Sequence, residues 1–210
     1  KRLENVSAFR LKSDAKSTVD FADKPHRFVQ IAYKPTDSII VPRVSSERRE
    51  YIPIGYLGSE AVISDAANAI YDAEPWVFAL LASKMHMAWA RAVGGKLENR
   101  YRYSNTIVYN NFPIPNLDTS KKDELSRFAR RILQVREFHS EMTLGELYDP
   151  DKMPENLRMA HHETDMLVDS LYRSRGFGND EERLAHLFSR YIKASNLKAD
   201  LDGQLFSGLD

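Results

Sequence analysis

The chain has 210 residues, of which 42% are hydrophobic and 29% charged, and its 30 basic side chains balance 30 acidic ones. This composition predicts a soluble globular protein with one large domain or two small ones. Because the sequence contains no cysteine, disulfides, cysteine-based zinc sites and a thiol nucleophile are excluded. No apolar run approaches the roughly 18 residues of a membrane helix, so we expect a cytoplasmic protein that contacts no membrane.

The balanced total charge hides a difference between the two halves of the chain. Residues 1–117 carry 16 Lys and Arg against 12 Asp and Glu, a net charge of +4, whereas residues 118–210 carry 14 against 18, a net charge of −4. The first half is therefore the better candidate for contacting phosphate groups. The excess is mild compared with that of a strongly basic DNA-binding domain.

The first 26 residues show little periodicity, and we expect loop structure there with at most a short helix near residues 13–20. A β-rich region follows, because apolar runs rich in β-branched residues are separated by turn residues. The pattern predicts four strands, at residues 27–33, 38–44, 51–57 and 61–64, and a loop at residues 65–68. Pro42 indicates a sheet edge or a bulge.

The segment 76–93 consists mostly of strong helix formers and is apolar around most of its circumference. Pro75 suits the first turn of a helix, and Gly94-Gly95 supplies the stop. We therefore expect one long buried helix at the centre of the first domain. His86, within this segment, is better interpreted as a core histidine with satisfied hydrogen bonds than as a general base.

The stretch 94–115 runs from those glycines to a Pro-x-Pro sequence, and in it charged and amide side chains alternate with apolar ones. If the stretch is extended, a period of two places Lys96, Glu98, Arg100 and Arg102 on one face. A strand with these side chains can read base edges in a DNA groove. The pattern alone favours the alternative, a solvated edge strand whose charges prevent aggregation.

After Pro115 the sequence is helical by its periodicity, and Thr143 with Glu146 predicts a capping box. Helices are expected at residues 121–141, 143–148, 153–172 and 180–193. The predicted fold class is therefore α+β. A β-rich domain of residues 1–117, built around one buried helix, precedes a small helical bundle of residues 118–210.

The motifs of an enzyme are missing from this sequence. It contains no glycine-rich phosphate loop, no GxSxG and no Asp-x-x-x-Glu-x-Lys nuclease cluster. The run His161-His162-Glu163-x-Asp165 lacks the i, i+4 histidine spacing of a helical metal site, so a helix surface or a domain interface is favoured. We expect this chain to hold no catalytic residue, no metal and no cofactor, and to act as a recognition module.

Three blocks carry a resemblance to a known family. They are RVSSERREYIPIGYLG at residues 43–58, SKMHMAWARAVGGKLENRYRYSNTIVYNNFPIP at residues 83–115, and LGELYDPDKMPENLRMAHHETDMLVDSLY at residues 144–172. In this order they resemble the C-terminal third of the MmeI-like restriction–modification enzymes. In that family a nuclease and an adenine methyltransferase precede a target-recognition domain and a helical tail.

The resemblance implies a DNA target-recognition module of a longer enzyme. Its partners would be double-stranded DNA and the upstream methyltransferase domain of the same polypeptide. That upstream domain would transfer a methyl group from S-adenosylmethionine to adenine N6 in a short asymmetric site, and an endonuclease could accompany it. Asn111-Phe112-Pro113 is not the methyltransferase motif, so this chain alone would neither methylate nor cut DNA.

The resemblance also implies which residues read bases. They lie in the matched blocks, apart from two that fall between blocks, and are Arg43, Asp65, Ala66, Glu98, Arg100 and Arg102. An arginine can bind guanine O6 and N7, and a glutamate can accept from cytosine N4. Phosphate contacts position a protein without specifying sequence, and we expect them from Arg48, Arg49, Lys84 and Lys96.

Two other functions stay open at this point. The chain could be a protein–protein docking module of a phage-defence methyltransferase, or an enzyme of unrecognised type. A basic groove lined by Arg43, Arg100 and Arg102 would favour DNA. A flat apolar patch would favour a protein partner, and a deep pocket with convergent titratable groups would favour an enzyme.

Overall fold

The computed structural model describes residues 1–29 and 31–206, with side chains as far as residue 196. The chain forms two compact units, Lys1–Pro35 and Thr36–Asp210. Helices predominate over small antiparallel sheets, which confirms the predicted α+β class. Among the described residues, every helix is too short or too polar to span a membrane.

The first unit contains two helices, α1 at Arg2–Leu11 and α2 at Lys16–Val19, neither of which has a buried residue. The guanidinium of Arg10 donates to the backbone carbonyls of Phe21, Lys24 and Arg27, at 2.8, 2.8 and 2.6 Å. The strand predicted at 27–33 is wrong for the residues of that range that the structure describes, since none of them pairs in a sheet. An arginine side chain, not a partner strand, satisfies the carbonyl of Arg27.

The second unit contains two three-stranded antiparallel sheets. The first has the order β3–β1–β4 and consists of β1 at Ser38–Pro42, β3 at Gly55–Leu57 and β4 at Ala67–Tyr71. The second has the order β2–β6–β5 and consists of β2 at Val44–Ser45, β5 at Gly95–Leu97 and β6 at Arg100–Arg102.

The predicted strands are partly wrong. The strand expected at 38–44 divides at Arg43, and its two parts belong to different sheets. The N–H of Ile54 donates to the carbonyl of Ile52, so the chain turns at Pro53. Of the strand predicted at 51–57, only residues 55–57 therefore pair in a sheet. The fourth strand forms at Ala67–Tyr71 instead of 61–64. It pairs antiparallel with β1, and Ile70 lies opposite Ile39.

The apolar segment is buried as predicted, but it forms two helices, α3 at Pro75–Leu81 and α4 at Lys84–Val93. Ser83 separates them because its Oγ accepts from the N–H of His86 at 3.3 Å and so caps α4. Buried residues occupy Phe78 to Leu81 in α3 and Met85 to Ala90 in α4. These two helices form the centre of the unit.

A π-helix at Asn105–Tyr109 follows the second sheet, and four α-helices complete the unit: α5 at Thr119–Glu137, α6 at Leu144–Leu147, α7 at Glu155–Tyr172 and α8 at Asp180–Phe206. Thr143 and Glu146 form the predicted capping box of α6. The last helix extends beyond its predicted end at residue 193.

One hydrophobic core includes residues from both predicted domains, for example Ile39 and Trp89 from the first and Leu125, Leu157 and Leu187 from the second. Helix α3 packs on α5, α5 on α7, and α4 on α8. The division at 117/118 stays a prediction from the sequence, and a shared core joins the residues on its two sides.

Candidate nucleic-acid interface

The predicted recognition segment is a β-hairpin. Strands β5 and β6 pair with Leu97 opposite Arg100, and Glu98 and Asn99 form the turn between them. Glu98 has φ +58°, a left-handed conformation that residues other than Gly seldom adopt. The expectation of one extended strand through residues 96–102 is therefore wrong, because the chain reverses at Glu98.

The reversal changes which side chains share a face. Residues two apart in one strand point to the same side, so Arg100 and Arg102 share one face of the hairpin. Residues directly opposite in an antiparallel pair also point to the same side. Lys96 lies opposite Tyr101 and therefore points to the other face. Tyr101 packs against the core, with the Arg91 guanidinium 5.8 Å from its ring centroid. The prediction that Lys96 shares a face with Arg100 and Arg102 is therefore wrong.

Backbone hydrogen bonds bring three of the predicted base-reading positions together. The N–H of Arg43 donates to the carbonyl of Ala66 at 3.3 Å, and the carbonyl of Arg43 accepts from the N–H of Tyr103 at 2.8 Å. Val44 in turn lies opposite Arg102. Arg43 thus stands where the two sheets meet, between the loop at Ala66 and the end of β6.

The side chains at this junction are exposed, including that of Asp65, which precedes Ala66. Neither Arg43 nor Arg102 forms a side-chain hydrogen bond or ion pair with any part of the chain that the structure describes. Two guanidinium groups are therefore available to an external acceptor, and a bidentate acceptor suits their geometry.

Glu98 and Arg100 are the remaining predicted base-reading residues, and they bind each other. Arg100 Nη2 lies 2.8 Å from Glu98 Oε2, with side chains 48% and 76% exposed, respectively. An ion pair this exposed contributes little to stability, so either partner can exchange it for another contact at small cost.

Helix α4 holds the base of the hairpin in place. The buried Tyr103 places its hydroxyl 2.9 Å from Nε2 of His86 in α4. Burial lowers the pKa of His86 to about 3, so its imidazole is neutral near pH 7. The indole N–H of Trp89 donates to the carbonyl of Val108 at 3.0 Å and so fixes the π-helix to the same helix. His86 is a core residue, although its Nδ1 has no partner within the described residues.

The four predicted phosphate-binding residues are not equivalent. Arg48 pairs with Asp151 at 2.6 Å, Arg49 Nη2 donates to the carbonyl of Gly145 at 3.3 Å, and Lys84 pairs with Glu50 at 2.8 Å. These contacts connect the β-rich region to the segment around α6 or neutralise the charge locally. Only Lys96 lies on the hairpin, exposed and without an ion pair in the described structure.

The histidine-containing run in α7 has a structural role. His161 is buried between the hydroxyl of Tyr148, at 2.6 Å, and the carbonyl of Ala82, at 3.1 Å, and burial lowers its pKa to about 3. Asp165 accepts from the N–H of Lys84 and the hydroxyl of Tyr51, both at 2.7 Å, and burial raises its pKa to about 7. These residues form an interface between α7 and the start of α4. Within the described ranges no group of three His, Asp or Glu could hold a metal ion.

Comparisons with known proteins agree with the resemblance. The family model described as the MmeI target recognition domain matches residues 1–116, and that of the MmeI C-terminal domain matches residues 117–200. DNA methyltransferase A of Bacillus subtilis (strain 168) is 43% identical over 182 residues, which cover 87% of this chain and 21% of that protein.

A solved structure of the type IIL restriction–modification enzyme MmeI in complex with DNA superposes with a TM-score of 0.86 at 41% identity. The match covers 92% of this chain and 26% of that one. The chain thus spans about a fifth to a quarter of the length of these two relatives.

Proposed function

Because the chain belongs to the MmeI family, with a target recognition domain at residues 1–116 followed by the C-terminal domain of that family, we propose that it reads a short asymmetric sequence in double-stranded DNA. The observation that carries the proposal is the junction of the two sheets. There Arg43, Ala66 and Arg102 meet through backbone hydrogen bonds and strand pairing, beside the exposed Glu98–Arg100 pair.

The hairpin has the shape that this task requires. The major groove of B-DNA admits a two-stranded β-ribbon. The tip of β5–β6 is such a ribbon, because β2 pairs with β6 only at Tyr101 and Arg102, and Arg100 and Arg102 lie on one face of it. Each arginine can bind O6 and N7 of a guanine, and Glu98 can accept from N4 of a cytosine. The left-handed conformation of Glu98 supports a functional role, since backbone strain of this kind is concentrated at binding sites.

The junction supplies the remaining base contacts. Arg43 adds a third guanidinium, Asp65 can accept from cytosine N4, and Ala66 can contact a thymine methyl group. Lys96, on the other face of the hairpin, is the foremost candidate for a phosphate contact. Arg48, Arg49 and Lys84 can add phosphate contacts only by exchanging the internal contacts that now hold them.

The whole enzyme is part of the same proposal. One relative is a DNA methyltransferase and the other a restriction–modification enzyme, and this chain corresponds to a fraction of each. An upstream domain of the same polypeptide would bind S-adenosylmethionine and methylate adenine N6, with an endonuclease accompanying it. This chain would recognise the target sequence and would have no catalytic residue and no cofactor of its own. The whole enzyme would act in the cytoplasm.

A protein-docking role is the second candidate, and one observation favours it. Helix α1 exposes large apolar side chains, of which Phe9 is 76% exposed and Leu11 63%. Exposed apolar residues on one short helix are typical of a surface that another protein covers. None of these residues belongs to the hairpin, so the two roles predict different outcomes for changes in the hairpin.

The test exchanges the two hairpin residues in the full-length polypeptide, as the double variant Glu98→Arg and Arg100→Glu. Methylated sites are then mapped across the genome of cells that express it. The recognised base pair should change at one position of the site while methylation continues, because a base contact carries about 1–3 kcal/mol of discrimination. The control Lys96→Ala should leave the site unchanged. An unaltered site with full activity in the double variant would show that the hairpin is merely solvated.

A further inference from the structure

A second charged surface lies beyond the hairpin, in a groove of about 800 Å³. One wall is the segment that follows the π-helix and contributes Asn110 and Asn116. The other wall is α8, which contributes Ser189, Arg190 and Lys193. None of these residues belongs to the base-reading set, and no function has yet been assigned to the groove.

The charge of the groove is of one sign. Among the residues described, none that line it carries a carboxylate, whereas Arg190 and Lys193 are cationic and the asparagines add amide donors. A second cavity among the described residues, of about 450 Å³ between α4, α7 and the start of α8, differs because acidic and basic side chains line it together, as Glu50 and Lys84 do. Of these two cavities, it is therefore the α8 groove whose described lining favours an anion with more than one phosphate.

The two cations of the groove have different surroundings. Arg190 is held in place, since its guanidinium lies 5.6 Å from the ring centroid of Tyr172 and donates to the carbonyl of Ile114 at 3.3 Å. Its Nε is buried without a partner in the described structure. Lys193 is exposed and forms no ion pair with a described residue. Arg190 thus shapes the groove, and Lys193 is free to bind a phosphate.

The position of the groove is fixed relative to the hairpin. Trp89 donates to the π-helix at Val108 and also packs against Phe188 and Tyr191 of α8, with ring centroids 5.4 and 5.8 Å away. The groove begins at Asn110, eight residues after Arg102. Eight extended residues span at most about 29 Å, and the π-helix between them shortens that distance. Arg102 and Asn110 therefore lie within about one helical turn of B-DNA of each other, roughly 34 Å, and a duplex carries a phosphate charge about every 1.7 Å of its axis.

We infer that this groove binds the phosphodiester backbone of the same duplex whose bases the hairpin reads, with Lys193 as the principal phosphate contact. The inference rests on the proposed function and extends it, because it brings the C-terminal domain into the DNA-binding surface. Asn110 and Asn116 have amide groups that can donate to phosphate oxygens, as such side chains do in protein–DNA interfaces.

The test measures how salt affects the binding of the full-length polypeptide to a duplex of random sequence, by fluorescence anisotropy. Each phosphate contact contributes about −0.9 to the slope of log K against log salt concentration. Lys193→Ala should therefore make the slope shallower by about one. The control Lys152→Ala removes the same charge from a lysine that pairs with Glu146 at 3.7 Å, outside the groove, and should leave the slope unchanged.

A second variant, Asn116→Asp, places a carboxylate in the groove with almost no change of shape. It should weaken binding to all sequences alike, and the methylated site should stay the same in every variant. A salt slope for Lys193→Ala and an affinity for Asn116→Asp that equal those of the Lys152→Ala control would overturn the inference, and would indicate that the groove binds a protein partner instead. An unsubstituted polypeptide without salt-dependent DNA binding would overturn the proposed function as well.

Discussion

Helix α4 and the β5–β6 hairpin are neighbours in the sequence, yet one is buried and the other is exposed to solvent. In α4 the residues from Met85 to Ala90 are all buried, whereas in the hairpin the residues from Gly95 to Arg100 are all exposed. Substitutions in the helix must preserve packing, but substitutions in the hairpin change little except what the surface can bind. The proposed recognition surface can therefore be altered without loss of the fold.

The largest effect is expected in the buried region. Trp89→Ala removes a fully buried indole and leaves the carbonyl of Val108 without its donor. The free energy of unfolding should fall by about 3–5 kcal/mol, as it does for other large core truncations. Urea denaturation of this chain measures the change. Trp76→Ala, at a half-buried tryptophan, is the matched control and should cost clearly less. Equal losses for the two variants would contradict the assignment of α4 to the core.

Acid should destabilise the protein through the same buried region. His86 and His161 have folded pKa values of about 3, whereas an unfolded histidine titrates near 6.5. The unfolded state therefore binds more protons between these values, and stability should fall as the pH falls from about 6.5 to 3. Asp165 opposes this trend, because its raised folded pKa of about 7 makes the folded state the better proton binder between about pH 4 and 7.

Asp165→Asn should consequently steepen the loss of stability between pH 7 and 4, since the opposing contribution disappears. Urea denaturation at a series of pH values measures the slope. Asp151→Asn, at an exposed carboxylate that pairs with Arg48, is the control and should not steepen it. An unchanged slope in Asp165→Asn would show that this carboxyl group titrates alike in both states.

The boundary between helix and hairpin is sensitive to a single methyl group. A Cβ on Gly94 would collide with the carbonyl oxygen of Ala90, whereas a Cβ on Gly95 would have its nearest neighbour, Arg102 Cβ, at 4.0 Å. Gly94→Ala should lower stability by about 1–3 kcal/mol, the range for overpacked sites. Gly95→Ala should be nearly neutral. Thermal denaturation measures the melting temperatures of the two variants. Similar values would contradict the prediction, because they would mean that the backbone at Gly94 can move away from the carbonyl of Ala90.

The smallest effect is expected at the tip of the hairpin. Glu98→Gly removes an exposed ion pair and relieves a left-handed conformation that costs a side-chain-bearing residue about 1–2 kcal/mol. Stability should change by less than about 1 kcal/mol, because the greater freedom of Gly in the unfolded chain offsets part of the gain. Genome-wide mapping in the full-length polypeptide should show relaxed specificity at one base. A marked loss of stability with unchanged specificity would assign Glu98 a structural role instead.

Local sequence patterns predicted the elements that depend on local forces. The apolar run around Trp89 predicted a buried helical segment, and the Thr143–Glu146 pair predicted a capping box, because burial and capping depend on residues within a turn or two. The family followed from three matched blocks and agrees with the family models over residues 1–200. The break at Ser83 was missed, although a serine before a run of helix formers is a recognised start signal.

Strand pairing was beyond the reach of those patterns. The run at 27–33 has the alternation of a strand but finds no partner in the described structure, while Ala67 and Asn68, in the predicted loop 65–68, pair with β1. Which segments pair depends on contacts between residues far apart in sequence, and periodicity carries no information about them. The turn at Glu98 was missed for a related reason, since its left-handed residue is not the Gly or Asn that usually signals one.

By itself the sequence determined the helical character of residues 76–93 and of the chain after Pro115, the buried position of α4, the family and the list of candidate base-reading residues. Only the tertiary structure decided how those candidates meet. Arg43, Ala66 and Arg102 are distant along the chain, and they come together because β1 ends at Pro42 and the chain crosses to the second sheet at Arg43. Such a junction is a product of long-range pairing, whereas helix formation and burial follow from the spacing of neighbouring side chains.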